Sequence, residues 1–190
     1  GKAKNFKIEI PRNTRPLTDR MKVRIFDVLG SDIANKSVLD LYAGAGSFAL
    51  EALSRGAKEA TLVDASKQGN IIIQRNVAHT GFLPQADVIK SKVEDFIQKY
   101  KESDKTWDII FMDPPYKLYN TKRVEKMERI INDASSLLPG VKNPKTKKFK
   151  GAFIIKHPKR YPIDKLNLKY IKRVETYEFG LNSISLYIVK

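Results

Sequence analysis

The chain contains no cysteine, which excludes a disulfide framework and thiolate metal sites and fits a reducing compartment. Histidine is nearly as scarce. His79 and His157 lie far apart, so a paired-histidine metal site and a serine-histidine triad both lack their components. Both read as ordinary polar residues, and no metal is expected. No apolar run approaches the roughly 18 residues that a membrane-spanning helix requires, and Gly1 to Lys7 lacks the apolar core of a signal peptide. A soluble, cytoplasmic protein without a membrane partner is the expectation. Acidic residues are the remaining shortage: 21 Asp and Glu stand against 36 Lys and Arg, a net charge of +15. Such an imbalance favours polyanionic partners through counterion release, although a general lysine coat would give the same count.

What is present suits one core. The chain has 190 residues, 42% of them hydrophobic, and reads as a single domain in which residues 1–17 form a basic N-terminal arm. Met21, Ile25, Val28 and Leu29 recur at helical spacing between Thr18, a suitable N-cap, and Gly30, a suitable stop. Val38 to Tyr42 reads as a strand entering Ala43-Gly44-Ala45-Gly46, followed by a helix from Ser47 to about Arg55. A second strand, Ala60 to Asp64, and a helix, Ser66 to Thr80, repeat the unit. Asp87 to Lys90 is a shorter strand, and Val93, Phe96, Ile97 and Tyr100 follow the helical rule. Trp107 to Met112 reads as a buried strand cut off by Asp113-Pro114-Pro115-Tyr116, because proline cannot donate to a ladder and restricts the residue before it. A long amphipathic helix from Val124 to Leu138 precedes a basic loop, Val141 to Lys150, and the strand Gly151 to Lys156. Lys169 to Phe179 and Ser183 to Val189 form two strand-like runs joined around Gly180-Leu181-Asn182, a hairpin. The expected class is therefore α/β: a Rossmann-like, mostly parallel sheet with helices on both faces and a C-terminal antiparallel hairpin. Ligands then belong at the carboxyl ends of the strands.

The glycine loop is the first candidate site. Its glycines let a ligand approach backbone without side-chain obstruction. Gly44, Gly46 and Ala49 also satisfy a dinucleotide-binding pattern, and Asp64 follows Gly44 at the interval of about 20 residues at which a ribose-binding acid is found. Charge separates the two readings. A dinucleotide would bring an anionic pyrophosphate to this turn, whereas S-adenosylmethionine (AdoMet) brings an ammonium and a sulfonium. Asp40, just upstream, repels the first and attracts the second. A purely structural role is also open to Asp40, since a carboxylate here can cap the loop by accepting backbone N–H groups.

The second candidate is the Asp-Pro-Pro-Tyr turn, expected across the crevice from the glycine loop. A methylase acting on an exocyclic amino group needs acceptors that hold the nitrogen and localise its lone pair. Asp113 can supply a carboxylate and Pro114 a carbonyl whose own residue has no competing N–H. Two prolines stiffen the turn, and the Tyr116 ring can stack on an unstacked base.

With these motifs in place the sequence resembles the DPPY-type AdoMet-dependent amino methyltransferases, and among them the RsmD-type family that methylates guanine N2 in 16S ribosomal RNA. The likeness rests also on Arg15-Pro16-Leu17-Thr18-Asp19-Arg20, on Leu39 to Gly46, and on Leu50-Glu51-Ala52-Leu53-Ser54-Arg55-Gly56-Ala57. It implies a class I methyltransferase fold with a seven-stranded sheet. It further implies Asp40, Tyr42, Ala43, Gly44, Gly46, Asp64, Ala65 and Val93 around AdoMet, with Asp64 on the ribose hydroxyls. Catalysis would fall to Asp113, Pro114 and Tyr116. Arg15, Thr18, Asp19, Arg20, Lys22, Pro115 and Tyr116 would meet the substrate, ribosomal RNA or the small ribosomal subunit. Several positions depart from the family pattern. Leu17 and Val23 replace a threonine and a glutamate, and Lys92 stands where an Asp or Asn is usual near the adenine. The glycine- and arginine-rich opening of the family is reduced to Gly1 through Ile10, so part of an RNA-binding arm is expected to be absent.

Three rivals are open on the sequence alone, the third being a basic RNA-binding module that has lost catalysis, for which an intact acceptor turn and cofactor acids would have no purpose. Adenine-N6 methyltransferases acting on DNA or RNA share the Asp-Pro-Pro-Tyr turn, but the DNA enzymes often carry a target-recognition domain for which this chain has no room. An NAD-dependent oxidoreductase would explain the glycine loop and leave Asp40 unexplained. Lys142, Lys145, Lys147, Lys148 and Lys150 read either as RNA contacts or as a solvated loop.

Overall fold

The computed structural model describes residues 7–10, 18–122, 124–146 and 149–190. Contacts group the chain into two compact units, Gly1–Val93 and Glu94–Lys190.

In the first unit, helix α1 (Asp19–Leu29) starts where the Thr18 hydroxyl accepts the Met21 N–H at 3.3 Å, which satisfies one of the orphan donors of the first turn. It buries Met21, Ile25, Phe26 and Leu29, and Phe26 stacks on Phe48 of α2 (Ser47–Ser54) with ring centroids 5.1 Å apart. Gly30 ends α1 as predicted, but the chain runs on into a 3-10 turn, Gly30–Ile33, that buries Ile33. Strands β1 (Ser37–Leu41), β2 (Glu59–Asp64) and β3 (Ala86–Lys90) pair in parallel with β2 in the middle, Val38 opposite Ala60 and Ala60 opposite Ala86. The apolar runs of β1 and β2 are almost wholly buried, the pattern of parallel strands covered on both faces. Helix α3 (Lys67–His79) is capped by Ser66, whose hydroxyl accepts the Gly69 N–H at 3.0 Å.

The second unit takes all of α4 (Val93–Lys101) but its first residue and runs on to β4 (Ile109–Met112), which pairs in parallel with β5 (Ala152–Pro158). Strand β5 pairs antiparallel with β7 (Asn182–Val189), and β7 with β6 (Ile171–Phe179). Gly180, at φ 61°, and Leu181 make the hairpin turn, so Asn182 opens β7 instead of lying in the turn. The first unit thus holds three parallel strands, and the second holds four in mixed pairing.

Several boundaries differ from the sequence reading by a residue or more, and three of them have a clear local reason. Strand β4 begins at Ile109, because buried Trp107 packs edge-on against Tyr100 and its N–H goes to the Leu137 carbonyl instead of the ladder. Helix α5 (Val124–Ser135) stops short of Leu138. Leu137 and Leu138 are buried in the connection, and Pro139 starts a one-turn helix, α6 (Pro139–Lys142), where a loop is predicted from Val141. Strand β5 runs two residues past Lys156, because β7 offers partners as far as Asn182. Among the described residues no helix is long and apolar enough to cross a membrane.

Candidate active site

The glycine loop leaves β1 through three left-handed residues, Tyr42 at φ 62°, Gly44 at φ 59° and Gly46 at φ 76°. Tyr42 is the unusual one, since side chains other than glycine, Asn and Asp rarely adopt this region. The turn is closed by the Gly46 N–H on the Ala43 carbonyl at 2.7 Å and tied to β2 by the Ala43 N–H on Val63 at 3.1 Å. A side chain at Gly46 would press on Leu62 at 2.8 Å, whereas one at Gly44 would meet only the Tyr42 carbonyl, at an ordinary contact distance of 3.9 Å. Backbone at Gly44 is thus approachable by a ligand.

Two carboxylates hold this loop. Asp40, at 1% exposure, accepts the Ala49 N–H at 3.2 Å and so supplies the side-chain cap that Gly46 cannot give α2. The capping role weighed from the sequence is therefore realised. Asp64, at the end of β2, accepts the Gly44 N–H at 2.9 Å through one oxygen and the Ser66 N–H at 2.8 Å through the other. Each oxygen retains acceptor capacity, and the group is only partly buried. Of the remaining candidates in this unit, Ala65 is exposed and Val93 is buried. Thr18 is spent on capping α1, and Lys22 pairs with the exposed Asp19 at 3.0 Å. Arg20 is exposed. Arg15 and most of the predicted basic arm lie outside the described residues, as do Lys147 and Lys148.

The Asp-Pro-Pro-Tyr turn follows β4 in the second unit. Asp113 is half-buried and receives the ammonium of Lys156 on both oxygens, at 2.9 and 2.7 Å. Burial pushes the Asp113 carboxyl above its ordinary range, while the charge and hydrogen bonds of Lys156 oppose the rise. Pro115 leads into a single 3-10 turn, Tyr116–Leu118. Tyr116, 43% exposed, donates its hydroxyl to the Asn182 side chain at the start of β7. Tyr119 donates to the Lys156 carbonyl and packs edge-on against Tyr161, 4.9 Å between centroids. The turn is thereby held on β5 and on the hairpin.

Sequence reasoning missed Lys156 and Asn182. Lys156 left a signal, a cation directly after the apolar run Ala152 to Ile155 and still within the predicted strand, but Asn182 was masked by its turn-like context. The lysines of the basic loop also divide. Lys142 donates to the carbonyls of Tyr100 at 3.2 Å and Lys101 at 2.6 Å, and to that of Ser103, so its charge sits on the C-terminal end of α4. Lys145 and Lys150 are exposed.

A family model described as Conserved hypothetical protein 95 matches residues 1–187. The chain belongs to that family. This RsmD-type family membership agrees with the resemblance drawn from the motifs. The ribosomal RNA small subunit methyltransferase D of Buchnera aphidicola is 33% identical over 116 residues, 61% of this chain and 58% of that protein. The match thus spans less than two thirds of the length of that protein and of the putative rRNA methyltransferase YlbH of Bacillus subtilis, 58% and 63% respectively. A putative methyltransferase, yhhF, from Escherichia coli superposes with a TM-score of 0.74 at 22% identity, covering 96% of this chain and 91% of the other. SMU.776, a putative methyltransferase solved with SAH, gives 0.71 at 17% identity over 92% of this chain and 50% of that one. The fold is the class I methyltransferase fold.

Proposed function

We propose that this family member is an AdoMet-dependent methyltransferase acting on the exocyclic N2 amino group of a guanine in small-subunit ribosomal RNA. The observation that carries the reading is the Asp113 carboxylate, fixed by Lys156 at the head of a proline-stiffened turn that follows β4. The names of the relatives, an rRNA methyltransferase among them, support the substrate class. A neighbour solved with SAH supports the cofactor, and so does the approachable backbone at Gly44 beside a partly exposed Asp64. The net charge of +15 suits a polyanionic partner.

AdoMet supplies an electrophilic methyl group on a sulfonium. In this reading the glycine loop offers backbone along the cofactor, Asp40 contributes negative charge near its ammonium, and Asp64 takes the ribose hydroxyls. Ala65 and Val93 flank the adenine. Asp113 and the Pro114 carbonyl accept from the two N–H groups of the target amine, which orients the nitrogen lone pair. Pro115 keeps the turn rigid, and Tyr116 stacks on the base once it leaves its helix. No covalent intermediate with the enzyme is needed. The proton displaced from nitrogen leaves to solvent or through Asp113. Arg20 and Lys22, with Arg15 of the arm, lie in the segment assigned to RNA phosphates.

The test is direct. The protein is incubated with labelled AdoMet and unmodified ribosomal RNA, small subunits or duplex DNA, and the modified nucleoside is identified after digestion. N2-methylguanosine from the small-subunit substrate is the expected product. N6-methyladenine would keep the chemistry and replace the target, and absence of transfer to every substrate would refute the proposal. Asp113→Ala is expected to lower turnover about 100-fold or more with AdoMet affinity retained.

A further inference from the structure

A cation within an apolar β-strand needs a counter-charge, because leaving one ammonium buried and unpaired costs several kcal/mol. Lys156 is 5% exposed and meets that need entirely at the Asp-Pro-Pro-Tyr turn, where its ammonium spans both oxygens of Asp113. A carboxylate has about four acceptor positions, and Lys156 occupies one on each oxygen. One position on each oxygen then remains for a substrate amine. The backbone of the same residue is also engaged, since its carbonyl accepts the Tyr119 hydroxyl and fixes the far side of the turn.

We infer that Lys156 is a positioning residue for methyl transfer: its ammonium holds Asp113 ionised and in one orientation, so that the carboxylate accepts from the target amino group instead of donating to it. The inference rests on the reading of Asp113 as the amine acceptor. Its physical basis is that a protonated carboxyl presents an O–H on one oxygen, and an O–H directed at an amine already rich in donors is a mismatch. Burial favours that unwanted form, and the charge of Lys156 opposes it.

Lys156 is the charged group acting on Asp113. Three other ionisable side chains on the turn and on the adjoining chain are committed elsewhere. His157 bonds to Ser185 and to the Pro158 carbonyl, Lys159 pairs with Glu178 at 2.6 Å, and the Tyr116 hydroxyl is taken by Asn182. An acid limb that shifts when Lys156 is changed, at unaltered AdoMet affinity, therefore reports on the Asp113 and Lys156 pair.

The experiment measures single-turnover methyl transfer against pH for wild type, Lys156→Met and Lys156→Arg, with AdoMet affinity and folding checked in each. In parallel, ¹³C-labelled aspartate is followed by NMR, the Asp113 carboxyl being assigned by its loss in Asp113→Asn. Lys156→Met is expected to move the acid limb to higher pH. Its rate deficit against wild type then widens by about tenfold per pH unit as pH falls through the new limb. The Asp113 carboxyl signal moves in step, AdoMet affinity stays within about twofold, and Lys156→Arg restores much of the wild-type profile. If Lys156→Met does not fold, Lys156→Gln, which keeps a donor and drops the charge, takes its place. An Asp113 carboxyl that titrates at the wild-type pH in the folded neutral variant overturns the inference. A pH profile identical to wild type does the same. Failure of the underlying reading looks different, because wild-type protein would then methylate no nucleic acid at any pH while the NMR titrations would still report on the pair.

Discussion

Asn76 grips the backbone of Glu9 from both sides, its amide N–H donating to the Glu9 carbonyl at 2.8 Å and its oxygen accepting the Glu9 N–H at 2.7 Å. The same amide nitrogen donates to the Ala45 carbonyl inside the glycine loop, at 3.0 Å. One buried side chain on α3 thus ties the described part of the N-terminal arm and the candidate cofactor loop to the same point. Asn76→Ala removes all three bonds and is expected to cost about 2 kcal/mol. Urea unfolding measures the loss, and hydrogen exchange at Glu9 should accelerate well beyond what the global change in stability accounts for. Exchange at Glu9 that merely follows global unfolding would contradict this coupling.

The two loop glycines should respond differently to substitution. Gly44 needs its left-handed backbone but has space for a side chain, so Gly44→Asn, which tolerates that region, is expected to cost less than about 1 kcal/mol. Gly46→Ala meets both the backbone penalty and fully buried Leu62, for about 2 kcal/mol or more. Thermal melts with and without AdoMet rank the two. Equal losses would remove the steric part of the explanation.

His157 gives stability a pH dependence of its own. Its Nδ1 faces the Pro158 carbonyl at 3.0 Å and must donate, so in the neutral ring Nε2 accepts from Ser185 at 2.9 Å, and Ser185 in turn meets Thr176 at 2.8 Å. Burial holds the imidazole below its ordinary range, with the nearby Arg173 charge acting in the same direction and the Pro158 bond against it. Below about pH 6.5 the unfolded chain takes up a proton that the folded protein resists, so stability falls as pH drops through the window beneath that value. His157→Gln should flatten this part of the curve. Wild type minus variant stability, from denaturant titrations, is expected to be larger at pH 8 than at pH 5. A difference that is constant with pH would mean that the histidine is not the group responsible.

The basic loop should separate into a structural lysine and solvent-facing ones. Lys142→Ala uncaps α4 and is expected to cost about 1 to 2 kcal/mol. Replacing Lys145 and Lys150 together by alanine should leave stability within about 0.5 kcal/mol. If both contact phosphates, the log-log salt dependence of RNA binding becomes shallower by about 1.4 to 1.8. An unaltered slope assigns them to plain solvated surface.

The order of strands and helices was legible because it rests on periodicity: Met21, Ile25 and Leu29 follow one period, and Val38 to Leu41 another. Boundaries were less so. Trp107 and Leu137 are as apolar as strand or helix interiors, yet packing against Tyr100 and the halt at Pro139 place them outside both. His157 reads as an ordinary polar residue in the sequence and is buried at 3% exposure, because only the pairing of β5 with β7 brings Ser185 to it.

Local chemistry, then, was written into the chain: two prolines after Asp113 must end a strand, and glycines at 44 and 46 permit a left-handed turn that few other residues would enter. What folding alone decided is which polar groups satisfy one another. Lys156 stands 43 residues from Asp113, and Asn76 stands 67 from Glu9. Neither pairing has a periodic signature, since each follows from burying a polar group where its only compensation is whatever the neighbouring strand or segment presents.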